Sequence, residues 1–576
     1  MVDQIQWGVI FAFSLAVALI TVMPEIYARM KSPARWTPIN SPPHMIGDDY
    51  HYFSLLNNIH RRFLNCLHGT NLTALPLSAN SRFQLFGYFF NLIPYHIGFL
   101  IEDRRLSVIF VRVWNRFLLG ISVAIFANIL FLLLGITPTT GLLLLTYLSF
   151  FLFFPGPFGL EVLSSIARHL TNPRYIYDHA HANDLMRAMY SETTGPLMLI
   201  ACAVLLIPIA AENAATIAIV GLIFVIILFF HYFPAAVVLS WFLFLLLLSK
   251  QLFFFAITCG ILTAGLIFVY LFSVSRSKIG QDFFAHTDGG KLFLITRYDF
   301  VNIVSISFFV LSIALIIPKT PMVEVLLLYF GSGIFLFTLV FAKHQANRFW
   351  HRAAVIPFQL MSAVASVSIF APLFSDIIII TLIVTFSSML IYYHYRQARF
   401  LYQVDATMLP EDIEFERDIC RRETGTCADM SRTIATNSIA LAYSTDMFSG
   451  DEVLLRNYSV QPFGYQHHLR SICANFKVLG YAFSDFERLL TLFVQYKDWL
   501  YDRPFKHQST AAEYCYAHTI QYMATNREYN HGLVVDGMYT DEGWTMSYKK
   551  LLCELWESIE VAQFSNVQKI AVQRPF

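Results

Sequence analysis

The chain has 576 residues, of which 56% are hydrophobic and only 14% are charged. A soluble domain usually carries about 25% charged residues, so lipid has to solvate a large part of this surface and an ordinary soluble protein is excluded. The net charge of +1, without any basic tract, also excludes nucleic acid as a partner.

Eleven apolar segments predict an α-helical polytopic membrane protein, because a span needs about 20 apolar residues and fewer inside a bundle. The first could pass for a signal peptide, but it lacks a basic n-region and a cleavage site. The predicted spans are 7–24, 109–136, 140–156, 195–211, 214–231, 233–248, 252–273, 301–318, 322–342, 353–373 and 376–394. One broken helix around Pro234 is the alternative to two short ones.

The connections between these spans are short on one face and long on the other. The long ones are 25–108, 157–194, 274–300, 343–352 and everything after 394. The polar residues therefore gather on one face of the membrane. Within the first long loop, the apolar stretch 83–101 predicts a re-entrant or interfacial helix.

The scarcity of charge before residue 395 and its density afterwards predict two domains. These are a membrane module, 1–400, with the long first loop 25–108, and a mixed, mainly helical soluble domain, 401–576. In the second, 396–408 and 483–500 have helical periodicity, whereas 442–469 has the pattern of loops and short strands. Cys420 and Cys427 are interpreted as free thiols in preference to a disulfide.

The adjacent carboxylates Asp48 and Asp49 are the first candidate site, with His51 beside them. One carboxylate could take a proton from a hydroxyl acceptor while the other holds a metal or orients the first. Adjacent like charges raise one pKa, which suits a base that works near neutral pH. The alternative is that the pair caps a helix beginning at Tyr50.

Two further polar clusters lie in later loops on the same face. In the first, Asp178, His179, His181 and Arg187 could form an orienting or proton-relay set, or simply a solvated loop. His179 and His181 are two residues apart, which is poor spacing for a metal pair on a helix.

In the second cluster, Arg348 and Arg352 share a helix face. They could clamp a lipid phosphate, or snorkel at a helix end.

The membrane half, roughly 1–395, resembles the GT-C superfamily of membrane glycosyltransferases, which use polyprenyl-phosphate-linked sugars. Members have an acidic pair shortly after the first helix, in a long loop with interfacial helices, which is where Asp48 and Asp49 lie. The resemblance implies an inverting transfer with one of these residues as base. It also implies that basic residues of the later loops, Arg348 or Arg352 with Arg297, bind the donor phosphate.

The implied partners are a polyprenyl-phosphate-sugar donor, membrane lipid, and a glycan, lipid or protein acceptor. His51 and the cluster from Asp178 to Arg187 would surround the acceptor. No metal ligands are assigned, and dependence on Mg²⁺ or Mn²⁺ is left open. The implied location is a multi-pass protein of the bacterial inner membrane in preference to the ER, with the C-terminal domain extracytoplasmic and a role in glycan or cell-envelope biosynthesis.

The positive-inside rule favours the opposite orientation. Two basic residues lie in the short loops of the face that the superfamily places in the cytoplasm, against ten in those of the other face. The two are Lys250 and Lys319, and the ten are Arg168, Arg174, Arg187, Arg276, Lys278, Lys291, Arg297, Lys343, Arg348 and Arg352. A lipid or small-molecule transporter or flippase, and a non-catalytic membrane scaffold, are the alternative functions.

Overall fold

The computed structural model describes a set of separate stretches that together are mostly helical. They are residues 5–31, 48–69, 91–101, 103–133, 135–153, 360, 363–364, 366–368, 375–403, 433–436, 439–448, 451–455, 465–487, 539–540, 543–544 and 546–570. Six predicted spans, from 195–211 to 322–342, lie outside the described residues. Of 353–373, only the six described positions can be assessed, and all are helical.

Four predicted spans are confirmed as helices. They are α1 (Trp7–Lys31), α4 (Leu106–Leu133), α5 (Thr140–Phe153) and α6 (Asp376–Gln403). Each predicted start lies within three residues of the observed one. Helices α1 and α6 continue beyond the apolar stretch into polar sequence, because backbone hydrogen bonding does not stop where the apolar composition changes.

Two described helices are long and apolar enough to cross a membrane, over Leu106–Leu132 and Asp376–Tyr395, and Trp7–Met23 and Thr140–Leu152 are shorter apolar segments. The two candidate spans differ in their surroundings. Helix α4 is mostly enclosed, whereas only 17% of the apolar window of α6 is buried. Its side chains Ile377, Ile380 and Val384 are 76%, 61% and 59% exposed.

The contacts among these helices fix their directions. Helices α1 and α4 are antiparallel. Arg29, near the end of α1, forms a 2.9 Å ion pair with Asp103, just before α4, whereas Ser14, in the first half of α1, packs against Gly120 in the second half of α4. At the other end, the backbone N–H of Gln6 donates to Oγ1 of Thr140 over 2.9 Å. Helices α1 and α5 therefore begin at the same end.

Helix α6 also begins at that end. It packs against α1 and α5, and a Cβ on Gly141 would lie 3.2 Å from Cγ2 of Ile379. The first turns of α5 and α6 are therefore side by side. The opposite end, where α1 finishes and α4 begins, is called the loop end below.

Two helices of the first loop lie near the loop end. They are α2 (Asp48–His68) and α3, residues 91–99. Helix α3 confirms that part of the stretch 83–101 is helical. Gly98 allows α3 to approach α4, because a Cβ there would lie only 2.2 Å from the Cα of Ser107.

The described C-terminal part contains a small parallel sheet of β1 (Thr433–Thr436), β2 (Glu452–Val453) and β5 (Val567–Ile570), in the order β2-β1-β5. Helix α7 (Ile439–Phe448) connects β1 to β2. Parallel neighbours require such a crossover, and a helix is its usual form.

A hairpin of β3 (Tyr539–Thr540) and β4 (Gly543–Trp544), a 3₁₀ turn (Val561–Phe564) and three helices complete this part. The helices are α8 (Tyr465–Val478), α9 (483–487) and α10 (Met546–Glu557). Asn475 of α8 joins the sheet, because its side chain accepts from the N–H of Thr436 at 3.0 Å and donates to the carbonyl at 2.9 Å.

The prediction of loops and short strands over 442–469 is wrong at both ends, where the described residues 442–448 and 465–469 are helical. A strand is present at Glu452–Val453, but α7 ends only at Phe448 and α8 begins at Tyr465. The beginning of the predicted helix 483–500 is confirmed by α9, and that of 396–408 by the last turns of α6. Cys420 and Cys427 lie outside the described residues.

Candidate functional site

The acidic pair lies at the start of α2. Asp48 and Asp49 are the first two residues of the helix, and His51 is the fourth. The side chains of these residues lie outside what the structure describes. The first N–H groups of a helix have no intrahelical acceptor, so this position favours ionised carboxylates. A capping pair and a catalytic pair are both compatible with it.

Helix α2 is enclosed immediately after this first turn. Nine consecutive residues from Phe53 to Arg61 are buried, and they include the polar side chains of Ser54, Asn57 and His60. A surface helix buries one face only, whereas this stretch is covered on all sides. Asp48 and Asp49 therefore belong to the first turn of a helix that its surroundings hold in place, which is the kind of rigid support a reactive group requires.

Part of that support comes from the end of α7, nearly four hundred residues away in sequence. Asn57 donates from Nδ2 to the carbonyl of Asp446 at 2.8 Å, and the hydroxyl of Tyr95 donates to that of Met447 at 2.5 Å. Arg104 donates from Nη1 to the carbonyl of Phe448 at 3.0 Å. We call these three side chains, with the three carbonyls that they bind, the joint.

The joint satisfies the backbone carbonyls at the C-terminal end of α7. The last four carbonyls of a helix have no intrahelical donor, and the C-terminus carries a partial negative charge. Three donors from the first loop satisfy three successive carbonyls, and one of them, Arg104, is a cation. Arg61 adds a longer contact of 3.5 Å to the carbonyl of Asp451.

A histidine pair lies beside the joint. Nε2 of His60 is 2.8 Å from Nδ1 of His96, so one ring donates to the other. The His60 ring also packs on Tyr95 and Phe99, at centroid distances of 5.3 and 4.7 Å.

Burial, together with the positive charge of its surroundings, including Arg104 and Arg61, lowers the pKa of His60 from 6.5 to about 3. The imidazole of His60 is therefore neutral near pH 7. Its role there is to hold the packing of α2 and α3 rather than to carry charge.

Asp103 connects the joint to the helices at the loop end. It accepts from Nε and Nη2 of Arg105, both at 2.8 Å, and pairs with Arg29 at the end of α1. Burial alone would raise the pKa of Asp103, but the hydrogen bond from Arg105 and the charges of Arg105 and Arg29 outweigh it and lower the pKa. The ionised carboxylate thus fixes the end of α1 beside Arg104.

The other predicted site residues lie outside the described part of the chain. They are Arg297, Arg348, Arg352, Asp178, His179, His181 and Arg187. Among the residues that are described, no group of three or more His, Cys, Asp or Glu side chains could hold a metal ion. The structure thus shows the position of the acidic pair along the chain but not its distance from the predicted phosphate-binding arginines.

Sequence reasoning did not single out the joint or the histidine pair. Asn57, His60 and Arg61 interrupt the apolar pattern of α2, and this mixture of polar side chains was the available signal. This signal could not identify their partners, which lie in α3, at the end of α7 and at Asp451 just after it.

A second group that was passed over lies in α4. Arg112 and Arg116 lie six and ten residues after the start of the helix and are 1% and 7% exposed. Burial of a cation is costly unless an opposite charge or hydrogen bonds compensate it.

No known protein-family model matches this chain, and no curated protein matches it significantly.

Proposed function

We propose that the protein is a polytopic membrane glycosyltransferase that moves a sugar from a polyprenyl-phosphate-linked donor to an acceptor. The observation that carries the proposal is the place of Asp48 and Asp49. They form the first turn of a buried, docked helix that follows the first apolar helix of the chain. Two acidic residues thus occupy the first turn of a helix whose following residues are rigidly held.

In the proposed reaction, Asp48 or Asp49 accepts the proton of an acceptor hydroxyl or amine. The acceptor atom attacks the anomeric carbon of the donor, and the polyprenyl phosphate leaves with the electrons of the broken bond, so that the configuration inverts. Arg348 and Arg352, with Arg297, stabilise the charge that develops on the leaving phosphate. His51 and the cluster from Asp178 to Arg187 line the acceptor side, and Mg²⁺ or Mn²⁺ would be accessory.

The exposed apolar side chains of α6 support a membrane environment. A soluble core helix would bury Ile377, Ile380 and Val384, which here are more than half exposed. In the proposed topology, about eleven helices cross the membrane, and the loop end and the C-terminal part face the extracytoplasmic side. The direct contacts between α2 and α7 support a common side for the first loop and the C-terminal part.

The test is transfer from undecaprenyl-phosphate-linked sugars in membrane vesicles, followed as release of undecaprenyl phosphate. We expect Asp48→Asn or Asp49→Asn to lower the rate about 10²–10⁴-fold, the usual contribution of a general base. Glu554→Gln is the matched control, because it removes an exposed carboxylate of α10 and should leave the rate unchanged. Wild-type rates in both aspartate variants would refute the mechanism. Movement of lipid-linked sugar across proteoliposomes without donor consumption would indicate a transporter instead.

A further inference from the structure

Helix α3 has its polar and apolar faces reversed relative to a helix on a water-exposed surface. Its outward residues are Ile93, Ile97 and, in the turn that follows, Leu100, which are 67%, 43% and 72% exposed. They recur at intervals of four and three residues, so they share one face. The opposite face is buried and includes polar groups, because Asn91 is enclosed and the hydroxyl of Tyr95 binds the joint. A surface helix in water normally has the reverse arrangement.

The end of α2 extends this apolar surface. Phe63 and Leu67, one turn apart, are 37% and 57% exposed, and Cys66, also exposed, lies between them in sequence. The ring of Phe63 meets that of His96 in α3 at a centroid distance of 6.4 Å, so the two helices form one surface. We call the five exposed apolar residues the outward surface: Phe63, Leu67, Ile93, Ile97 and Leu100.

The outward surface lies at the level where α4 begins its candidate span. Gly98 of α3 packs against Ser107, the second residue of α4, and the candidate span starts at Leu106. Phe110, three residues after Ser107, lies on the same face of α4 and is exposed. The surface of the protein beside α3 therefore stays apolar along the first turns of the span.

The end of α1 is a second indication of the membrane boundary. Beyond its apolar segment Trp7–Met23, α1 continues through Tyr27 to Lys31, and Nζ of Lys31 lies 5.8 Å from the centroid of the Tyr27 ring. Aromatic and basic side chains anchor helices where they leave the hydrocarbon region. Arg29, in the same turn, pairs with Asp103 just before α4. The end of α1 and the start of α4 are therefore at the same level.

This level favours lipid as the occupant of the outward surface over a second copy of the chain or another protein. The segment 91–101 contains no Asp, Glu, Lys or Arg, whereas the rim of a protein–protein interface is usually polar. A helix that turns an apolar face outward at the boundary lies in the plane of the interface, with that face about 5–10 Å into the region between headgroups and acyl chains.

We propose that the outward surface docks on the membrane in which the protein's own spans lie, with its side chains among the upper acyl chains of the glycerophospholipids. The membrane and the joint then hold opposite faces of α3, which is too short to be a stable helix without such contacts. The proposal rests on the membrane location given in the proposed function and not on glycosyl transfer.

The experiment places a bimane fluorophore on single thiols of the full-length protein in phosphatidylcholine vesicles and measures its quenching by nitroxide lipids. One lipid carries the nitroxide near the head of the acyl chain, and the other carries it near the end. The test sites are the native Cys66 and Leu100→Cys. Val384→Cys is the reference for a lipid-facing span, and Ser558→Cys is the reference for an exposed site of the C-terminal part.

We expect both test sites to be quenched several-fold more than Ser558→Cys, and more strongly by the shallow nitroxide than by the deep one. The reason is the shallow insertion of a helix that lies in the interface. Val384→Cys should show the opposite preference for the deep nitroxide, because it lies about 12 Å from the start of α6.

Polar substitution tests which residues insert. Ile93→Asn combined with Ile97→Asn should lower the quenching at Cys66 several-fold. Val561→Asn changes an exposed apolar residue of the C-terminal part and should leave it unchanged. The double variant keeps the buried face of α3. If it nevertheless folds poorly, the two test sites in the otherwise unchanged chain decide the proposal.

Three results would overturn the proposal. Test sites quenched no more than Ser558→Cys, while Val384→Cys is quenched, would place the outward surface outside the lipid of a membrane protein. Stronger quenching by the deep nitroxide would mean that the segment re-enters the membrane. Cross-linking of Cys66 between two chains, without quenching, would make a second copy the occupant. Loss of quenching at Val384→Cys as well would refute the membrane location together with the proposal. Since no sugar donor is present, each result is distinguishable from failure of the proposed reaction.

Discussion

Arg104 donates from Nη1 to the carbonyl oxygen of Phe448 over 3.0 Å, although the two residues are 344 positions apart in the chain. The guanidinium also lies 4.8 Å from the ring centroid of Phe99 in α3. One side chain thus touches α3 and the end of α7 from a position just before α4. The C-terminal part and the first loop are consequently connected where the acidic helix is supported.

The first prediction concerns the joint. Arg104→Gln should destabilise the protein by about 1–3 kcal/mol, because it leaves a buried carbonyl at the end of α7 without its charged donor. Hydrogen exchange should increase in both α2 and α7, since each loses the same contact. Arg470→Gln, which removes an exposed arginine of α8, is the control. Faster exchange confined to α7 would show that the joint does not support α2.

The second prediction concerns pH. The pKa of His60 is about 3 in the folded protein against 6.5 without its surroundings, so the unfolded chain binds this proton first as the pH falls. The stabilisation that depends on neutral His60 is therefore complete above pH 6.5 and is lost as the pH falls towards 3, by about 3 kcal/mol near pH 4.5. The stabilisation from ionised Asp103 is complete throughout this pH range and is lost only below it, because the pKa of Asp103 is lowered from 3.8.

The check is thermal unfolding between pH 7.5 and 4.5 for wild type and His60→Gln. The variant should be less stable at pH 7.5 but should lose less stability on acidification, because it lacks the histidine that resists protonation. His68→Gln, at the last residue of α2, serves as the control. Parallel pH profiles for His60→Gln and wild type would contradict the assignment.

The third prediction concerns the contact among α1, α4 and α5. Gly120→Ala places a methyl group 2.6 Å from the Tyr147 ring, so the helices have to move apart and the protein should lose about 1–3 kcal/mol. Gly8→Ala makes the same change in α1, where nothing lies within 4 Å, and should be neutral or slightly stabilising. Equal effects of the two substitutions on the unfolding temperature would contradict the packing of Gly120.

The fourth prediction concerns topology. In a variant without its eight cysteines, single cysteines at Met30 and Ser558 should react on the same side of the membrane, and one at Thr137 on the other. All three positions are exposed. We expect an impermeant thiol reagent to label Met30→Cys and Ser558→Cys on intact cells and to spare Thr137→Cys. The reverse pattern would place the loop end in the cytoplasm, as the positive-inside count favours, and would remove the basis for the superfamily resemblance.

The positions of α1, α4, α5 and α6 were predictable because a long apolar run has few alternatives to a helix in or near a membrane. The position of Asp48 and Asp49 at a helix start followed from capping preference within two residues. Helix α7 was not predictable in this way. It has ten residues and ends at carbonyls whose donors, Asn57, Tyr95 and Arg104, come from the first loop, so its stability depends on contacts that no local pattern contains.

The joint also has a consequence for synthesis. Asn57 and Asp446 are separated by 389 residues, so the donors of the first loop leave the ribosome long before their acceptors. At 5–20 residues per second, the interval is about 20–80 s. During that interval Asn57, Tyr95 and Arg104 lack their acceptors at the end of α7. A chain that stops before residue 446 would keep them in that state, as a target for quality control.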